Sequence, residues 1–204
     1  SVLKLLGFDK PRDFLISELL DSSYLYSLDF KRNPVGKELL QLGSGHIIPR
    51  SSVLAKYGLT SFSDSRSVVD RLIKIATKAH DLGRDSQMFF GIYKELVTFS
   101  MLQSMLPEKG KRDALIRFYE AIKNLEAAQS HPHFWLQYAI ARLASDGPGD
   151  LEKARLFLDT AYAHAQRRKN YHTRHMDNVK ARYLIKHSIV VEEINAALIE
   201  LADG

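Results

Sequence analysis

From Ser65 onward, apolar residues recur at helical spacing in one segment after another. Val69, Leu72, Ile73, Ala76 and Ala79 make a first stripe that ends near Gly83. Phe89, Tyr93, Leu96, Val97 and Ser100 make a second, closed by Pro107. Leu115, Phe118, Tyr119, Ile122 and Leu125 make a third, between about Gly110 and Gln129. A fourth runs from Pro132 to about Ala144, and "DGPGD" breaks it. Asp150 is then placed to cap a fifth helix carrying Leu151, Ala154, Leu158, Ala161 and Ala165. A sixth lies around Met176 to His187, and Val191, Ile194, Leu198 and Leu201 mark a last one, rich in Glu. About seven helices on short links predict an α-solenoid or irregular helical array over residues 65–204.

Residues 1–62 carry a different pattern. "PRDFLISELLDSS" reads as a helix with Pro11 in its first turn. "YLYSLDF" alternates Tyr24, Tyr26, Leu28 and Phe30, which is strand period. "NPVGKELLQLGSG" reads as a short helix or turn, "HIIP" as a second strand, and "RSSVLAKYGL" as a short helix capped by Ser51 or Ser52. The expected fold class is therefore mainly α: a helical array preceded by a small mixed α/β, winged-helix-like segment, with the border near Phe62 to Ser65. No low-complexity or Gly/Ser-rich linker separates the two.

Within the array, "HPHFWLQYAIA" and "DLEKARLFLDTAYAHA" fit the two helices of a tetratricopeptide-like hairpin. Trp135, Tyr138 and Ala139 stand at the large and small positions of its first helix, and Ala154, Leu158 and Ala161 at those of the second. Helices approach closely only where side chains are small, so Ala139, Ala154 and Ala161 mark the expected contact, with Trp135 filling the gap beside it. Pro132 suits a helix start, which makes the flanking His131 and His133 structural rather than the seed of a site.

The succession "FYEAIKN…HPHFWLQYAIARL…DLEKARLFLDTAYAHA…NYHTRHMDNVKARYLI" resembles the C-terminal helical region of large bacterial STAND-type P-loop NTPases and related sirtuin-fused antiphage defence proteins. "HIIPRSSVLAKYGL" would then match the winged-helix segment that follows the NTPase core, so that the resemblance spans roughly residues 45–186. It implies a helical region that senses a ligand or partner, or packs against neighbouring subunits, while the chemistry sits elsewhere. No Gly-x-x-x-x-Gly-Lys-Ser/Thr loop occurs here, so ATP binding does not carry over. The abrupt apolar start at Ser1 fits the same expectation, a piece of a longer protein.

Composition narrows the classes further. No apolar run approaches the roughly 18 residues that span a bilayer, and the run before Asp9, Lys10 and Arg12 is too short for a signal peptide. Cysteine is absent, which removes disulfides, thiolate zinc sites and thiol nucleophiles and is compatible with the cytoplasm. The formal charge of +5 is concentrated between His164 and His187, where seven Lys/Arg face one acid, Asp177. This basic block, Arg167, Arg168, Lys169, Arg174, Lys180, Arg182 and Lys186, is the candidate binding face, for an acidic protein partner or for nucleic acid. Tyr171 and Tyr183 are interleaved with it and could stack on bases.

Other groupings carry less. His164, His172 and His175 with Asp177 hold metal-ligand chemistry, but the surrounding cations oppose a divalent ion. Arg182 and His187 have the Arg-x4-His spacing of HEPN-type ribonucleases, in which Arg stabilises the phosphorane and His moves a proton. Tyr183 departs from the polar residue usual after the Arg, and Arg168 to His175 is a looser version. Glu192/Glu193 and Asp146/Asp150 read as surface or capping carboxylates, and Gly43-Ser44-Gly45 is too short for a phosphate loop. The expectation is a non-catalytic protein-interaction, sensing or oligomerisation module, with no cofactor and no metal. Its partners would be another protein, further domains of its own chain or a second copy. The alternatives are a nucleic-acid-binding helical domain and a metal-independent ribonuclease.

Overall fold

Leu40 and Leu42 alternate with Gln41 and Gly43, and these four residues form strand β1 (Leu40–Gly43), paired antiparallel with β2 (His46–Pro49). Leu40 lies opposite Pro49 and Gly43 opposite His46. "HIIP" is the strand expected there. "LQLG" falls where a helix or turn is expected, and its period-2 alternation followed by a hairpin-length gap overrides that expectation. The computed structural model describes residues 64–202, these two strands, Val53 and Tyr57, with the strands and residues 193, 194 and 196–202 described by backbone alone. The helix at "PRDFLISELLDSS", the strand at "YLYSLDF", the Ser51/Ser52 cap and the winged-helix reading lie outside the described residues.

The described part is mainly α. Its helices are α1 (Ser65–Gly83), α2 (Gln87–Leu96), α3 (Phe99–Met105), α4 (Lys111–Ile122), α5 (Glu126–Ser130), α6 (Pro132–Ser145), α7 (Asp150–Gln166) and α8 (Arg174–Ala202). None is long and apolar enough to cross a membrane. The second expected helix is two, α2 and α3. The chain breaks at Thr98, whose backbone is extended and whose Oγ1 donates to Lys94 O at 3.1 Å. The third likewise divides into α4 and the short α5. The sixth and seventh are instead one helix of 29 residues, since neither Gly nor Pro interrupts the chain between Met176 and Leu201.

Two compact units emerge, residues 1–127 and 128–204. In the first, α1 packs against α2 and α4. Asp64 caps α1 by accepting from Ser67 N at 2.9 Å. Val69, Leu72, Ala76 and Ala79 are fully buried along its inner stripe, together with Ile92, Leu96, Phe118 and Ile122. Tyr119 Oη donates to Val97 O at 2.8 Å, satisfying a carbonyl at the end of α2. His80 is buried in a defined tautomer: Nε2 accepts from Ala127 N at 3.3 Å and Nδ1 donates to Asp81 at 3.1 Å. Gly83 lets the end of α1 approach α2, because a Cβ there would stand 3.0 Å from Phe90 N.

In the second unit α6 and α7 pack extensively and are joined by residues 146–149. Ala139, Ala154 and Ala161 are fully buried, as expected of a close helix pair. Trp135 packs beside that contact on Phe157 of α7, with 5.5 Å between ring centroids. It is partly buried, Phe134 and Tyr138 are the fully buried aromatics, and Phe157 stacks on Tyr138 at 4.1 Å between centroids. Pro132 does open α6, and His131 caps it, its Nδ1 accepting from His133 N at 3.2 Å. The cap of α7 is Gly149 at φ 71°, not Asp150, whose carboxylate turns back into the connection. Helix α8 packs mainly on α7, burying Met176, Val179 and Tyr183 on one stripe.

Candidate interaction surface

The basic block begins where α7 ends. Arg167 follows the helix, exposed; Arg168 Nη2 donates to Ser130 O at 3.2 Å; Lys169 is exposed; and Asn170 takes the left-handed conformation at φ 62° that turns the chain. Thr173 precedes α8, its Oγ1 donating to Asp177 at 3.2 Å, and Tyr162 Oη donates to the same carboxylate at 2.6 Å. Burial and then Asp177 push the Tyr162 phenol up to about 12. Asp177 is thus engaged in fastening α8 to α7. Burial, then the charges of Arg167 and Arg168, hold His164 below the ordinary histidine range. His172 and His175 are exposed, and among the described residues no three His, Asp or Glu side chains converge where a metal ion could sit.

On α8 the cations do not share a face. At about 100° per residue, Arg174, Lys180, Arg182 and Lys186 are spread around the helix axis. Lys180 Nζ lies 5.6 Å from the Tyr162 ring centroid, a cation–π arrangement. Lys186 Nζ donates to Leu143 O at 2.8 Å and pairs with Asp146, so it clamps α8 to the end of α6. Arg167, Lys169, Arg174 and Arg182 are exposed, and none makes an ion pair with a carboxylate among the described residues. The seven basic residues therefore divide into a structural set (Arg168, Lys180, Lys186) and a solvent-facing set of four.

His187 lies beside Tyr183, with 5.8 Å between ring centroids, and lines a cavity of about 660 Å³. Leu151, Arg155, Lys186 and Val190 are also part of its wall, but Arg182 is not. Five residues apart on one helix, Arg182 and His187 point about 140° apart. The cavity wall carries Asp146, Asp150 and Glu152 as well as Arg142, Arg155 and Lys186, so it presents balanced charge rather than an anion cradle.

Two features escaped the sequence reading. One is a buried polar cluster of Tyr138, Arg142 and Asp150, for which an arginine within the apolar run of "YAIARLAS" was the available signal. The other is the outer side of α8, where Leu184 is 51%, Ile185 64% and Ile189 50% exposed, flanked by Val190 and Val191. Leu184, Ile185 and Ile189 point away from the buried Met176–Val179–Tyr183 stripe, whereas Val190 and Val191 turn toward the cavity that His187 lines. The signal here was "YLIKHSIVV", whose apolar residues fall on several sides of the helix rather than on one stripe. Compared with protein-family models, curated proteins and solved structures, the chain matches none.

Proposed function

We propose that this chain is a non-catalytic protein-interaction module, tetratricopeptide-like in its α6–α7 hairpin, that serves a larger bacterial protein of the STAND NTPase type. The observation that carries the reading is the exposed apolar run on α8. Leu184, Ile185 and Ile189, each at least half exposed within two turns of one helix, are more than the scattered singles of an ordinary surface, and such patches mark binding surfaces. The fastening of α8 by Lys186, Asp177 and Tyr162 supports it further, since a presented face binds best when it is held rigid.

The test is a photoreactive amino acid in place of Ile185, irradiated in cells that make the chain. The expected product is a protease-sensitive, nuclease-resistant adduct whose partner is identified by mass spectrometry and whose yield collapses with Ile189→Lys. Absence of any protein adduct in a folded chain counts against the reading.

A second reading, nucleic-acid binding, is favoured by the four solvent-facing cations Arg167, Lys169, Arg174 and Arg182. It requires an affinity that falls steeply with salt and weakens when those four are replaced by Gln. The ribonuclease alternative draws no support from Arg182 and His187, which diverge.

A further inference from the structure

We infer that the occupant of the exposed face of α8 is the α8 of a second copy of this chain, lying antiparallel to it; this rests on the interaction-module reading above. Three observations point to self-pairing in that direction. The first is position. On α8 the exposed apolar residues Leu184, Ile185, Ile189 and Val191 straddle Ser188. An isologous two-fold contact requires a patch that maps onto itself when the helix is reversed, and a run that straddles Ser188 does so about that residue.

The second is charge. Before Ser188, Arg174 and Arg182 of α8 face solvent, while Lys180, Lys186 and the one acid, Asp177, are engaged within the unit. From Ser188 to Ala202, α8 carries no Lys or Arg, only Glu192, Glu193 and Glu200. Antiparallel pairing sets the basic half of each helix along the acidic half of the other and brings Arg182 within a turn of the opposite Glu192. Parallel pairing would set like charges side by side, so the sequence selects one orientation. The third is shape. At the crossing point stands Ser188, whose Oγ donates back to Leu184 O at 2.9 Å, leaving a small, internally satisfied residue where the two backbones come closest.

The experiment uses the whole chain. Light scattering and sedimentation should give a species of twice 23.2 kDa that dissociates on dilution. Ile185→Lys with Ile189→Lys should return the monomer mass with unchanged helicity. Orientation is read by cysteine cross-linking, which the absence of native cysteine makes unambiguous. Ala181 and Asn195, both exposed, lie equally far on either side of Ser188. Chains bearing Ala181→Cys should therefore form disulfides with chains bearing Asn195→Cys and not among themselves. A monomer at every concentration overturns the proposal, as does a dimer that survives both lysines or an Ala181→Cys chain that cross-links to itself. A monomeric chain whose Ile185 adduct in cells is a different, identified protein overturns self-pairing alone and leaves the module reading standing.

Discussion

Arg142 Nη1 donates to the Asp150 carboxylate at 2.7 Å, and both side chains are buried. Arg142 Nη2 donates to Tyr138 Oη at 2.7 Å, and Gly147 N donates to the other Asp150 oxygen at 2.9 Å. One ion pair thus ties the end of α6, the connection and the first turn of α7. Removing one member leaves an uncompensated buried charge, which costs about 3–5 kcal/mol. Asp150→Ala is expected to lower the stability of the second unit by that order. Trp135, the chain's only tryptophan, lies in this unit 5.5 Å from the Phe157 ring, so its fluorescence in urea reports the loss. Replacing both partners, Arg142→Met with Asp150→Leu, should recover most of it. A single variant with a loss below about 1 kcal/mol would show the pair to be dispensable.

The same cluster gives the unit an acid limit. Burial opposes ionisation of Asp150, but the Ser145 hydroxyl, Arg142 and the Gly147 amide together hold it below its ordinary 3.8. A carboxylate depressed in the folded state contributes stability above its unfolded pKa and loses it as pH falls through the folded one. His164 acts higher on the scale. It is depressed below 6.5, so the unfolded chain takes up that proton first and stability declines as pH falls below about 6.5. The urea midpoint by Trp135 fluorescence should therefore fall in two stages on acidification. His164→Gln should remove the upper stage and Asp150→Asn the lower; a one-stage profile unaffected by either variant contradicts the assignment.

Close approach of α6 and α7 depends on Ala139, Ala154 and Ala161. Inserting a branched side chain there forces the helices apart, and overpacking of this kind costs about 1–3 kcal/mol. Ala154→Leu is expected to destabilise the second unit by that amount, whereas Leu156→Ala, at a position 61% exposed, should change little. Equal effects in thermal unfolding would remove Ala154 from the helix contact.

What the sequence revealed follows the physics of each signal. The inner stripes of α1 and α4 and the small residues of the α6–α7 pair were legible because burial imposes a period, and Ala at a buried position of that period, where a large apolar side chain would otherwise stand, betrays a close neighbour. The break at Thr98 was not, because the apolar positions continue through it while a side-chain bond to Lys94 O takes the backbone out of the helix. Trp135 was legible as packing beside the helix pair but not in its depth: Phe134, one residue away, holds the buried direction and leaves Trp135 with Phe157 at the rim. The basic block was legible as composition but not as geometry, since only tertiary structure divides Lys186 and Lys180, which have partners, from Arg167 and Lys169, which face solvent. The outer face of α8 was hidden because a run whose apolar residues fall on several sides reads as core until the structure shows one side uncovered.

Two tyrosines of the first unit offer an internal control on polar burial. Tyr119 and Tyr93 are both buried, and burial pushes both phenols above the ordinary range. They differ in one respect. Tyr119 Oη donates to Val97 O, whereas Tyr93 Oη has no hydrogen-bond partner among the described residues. Removing one member of a buried hydrogen bond strands the other, at about 1–3 kcal/mol, while removing a hydroxyl that was already unsatisfied relieves a cost of similar kind. Tyr119→Phe is therefore expected to destabilise the first unit, and Tyr93→Phe to leave it unchanged or make it more stable. The Tyr93→Phe substitution keeps the aromatic ring and its edge-on packing against His80, where the centroids are 5.7 Å apart, so the comparison isolates the hydroxyl. Amide hydrogen exchange across α1, α2 and α4 measures this unit directly, and opposite signs for the two variants are the expected result. A loss at Tyr93 as large as that at Tyr119 would mean that its hydroxyl has a bound partner in solution, and would move the search for a buried water to the space beside His80.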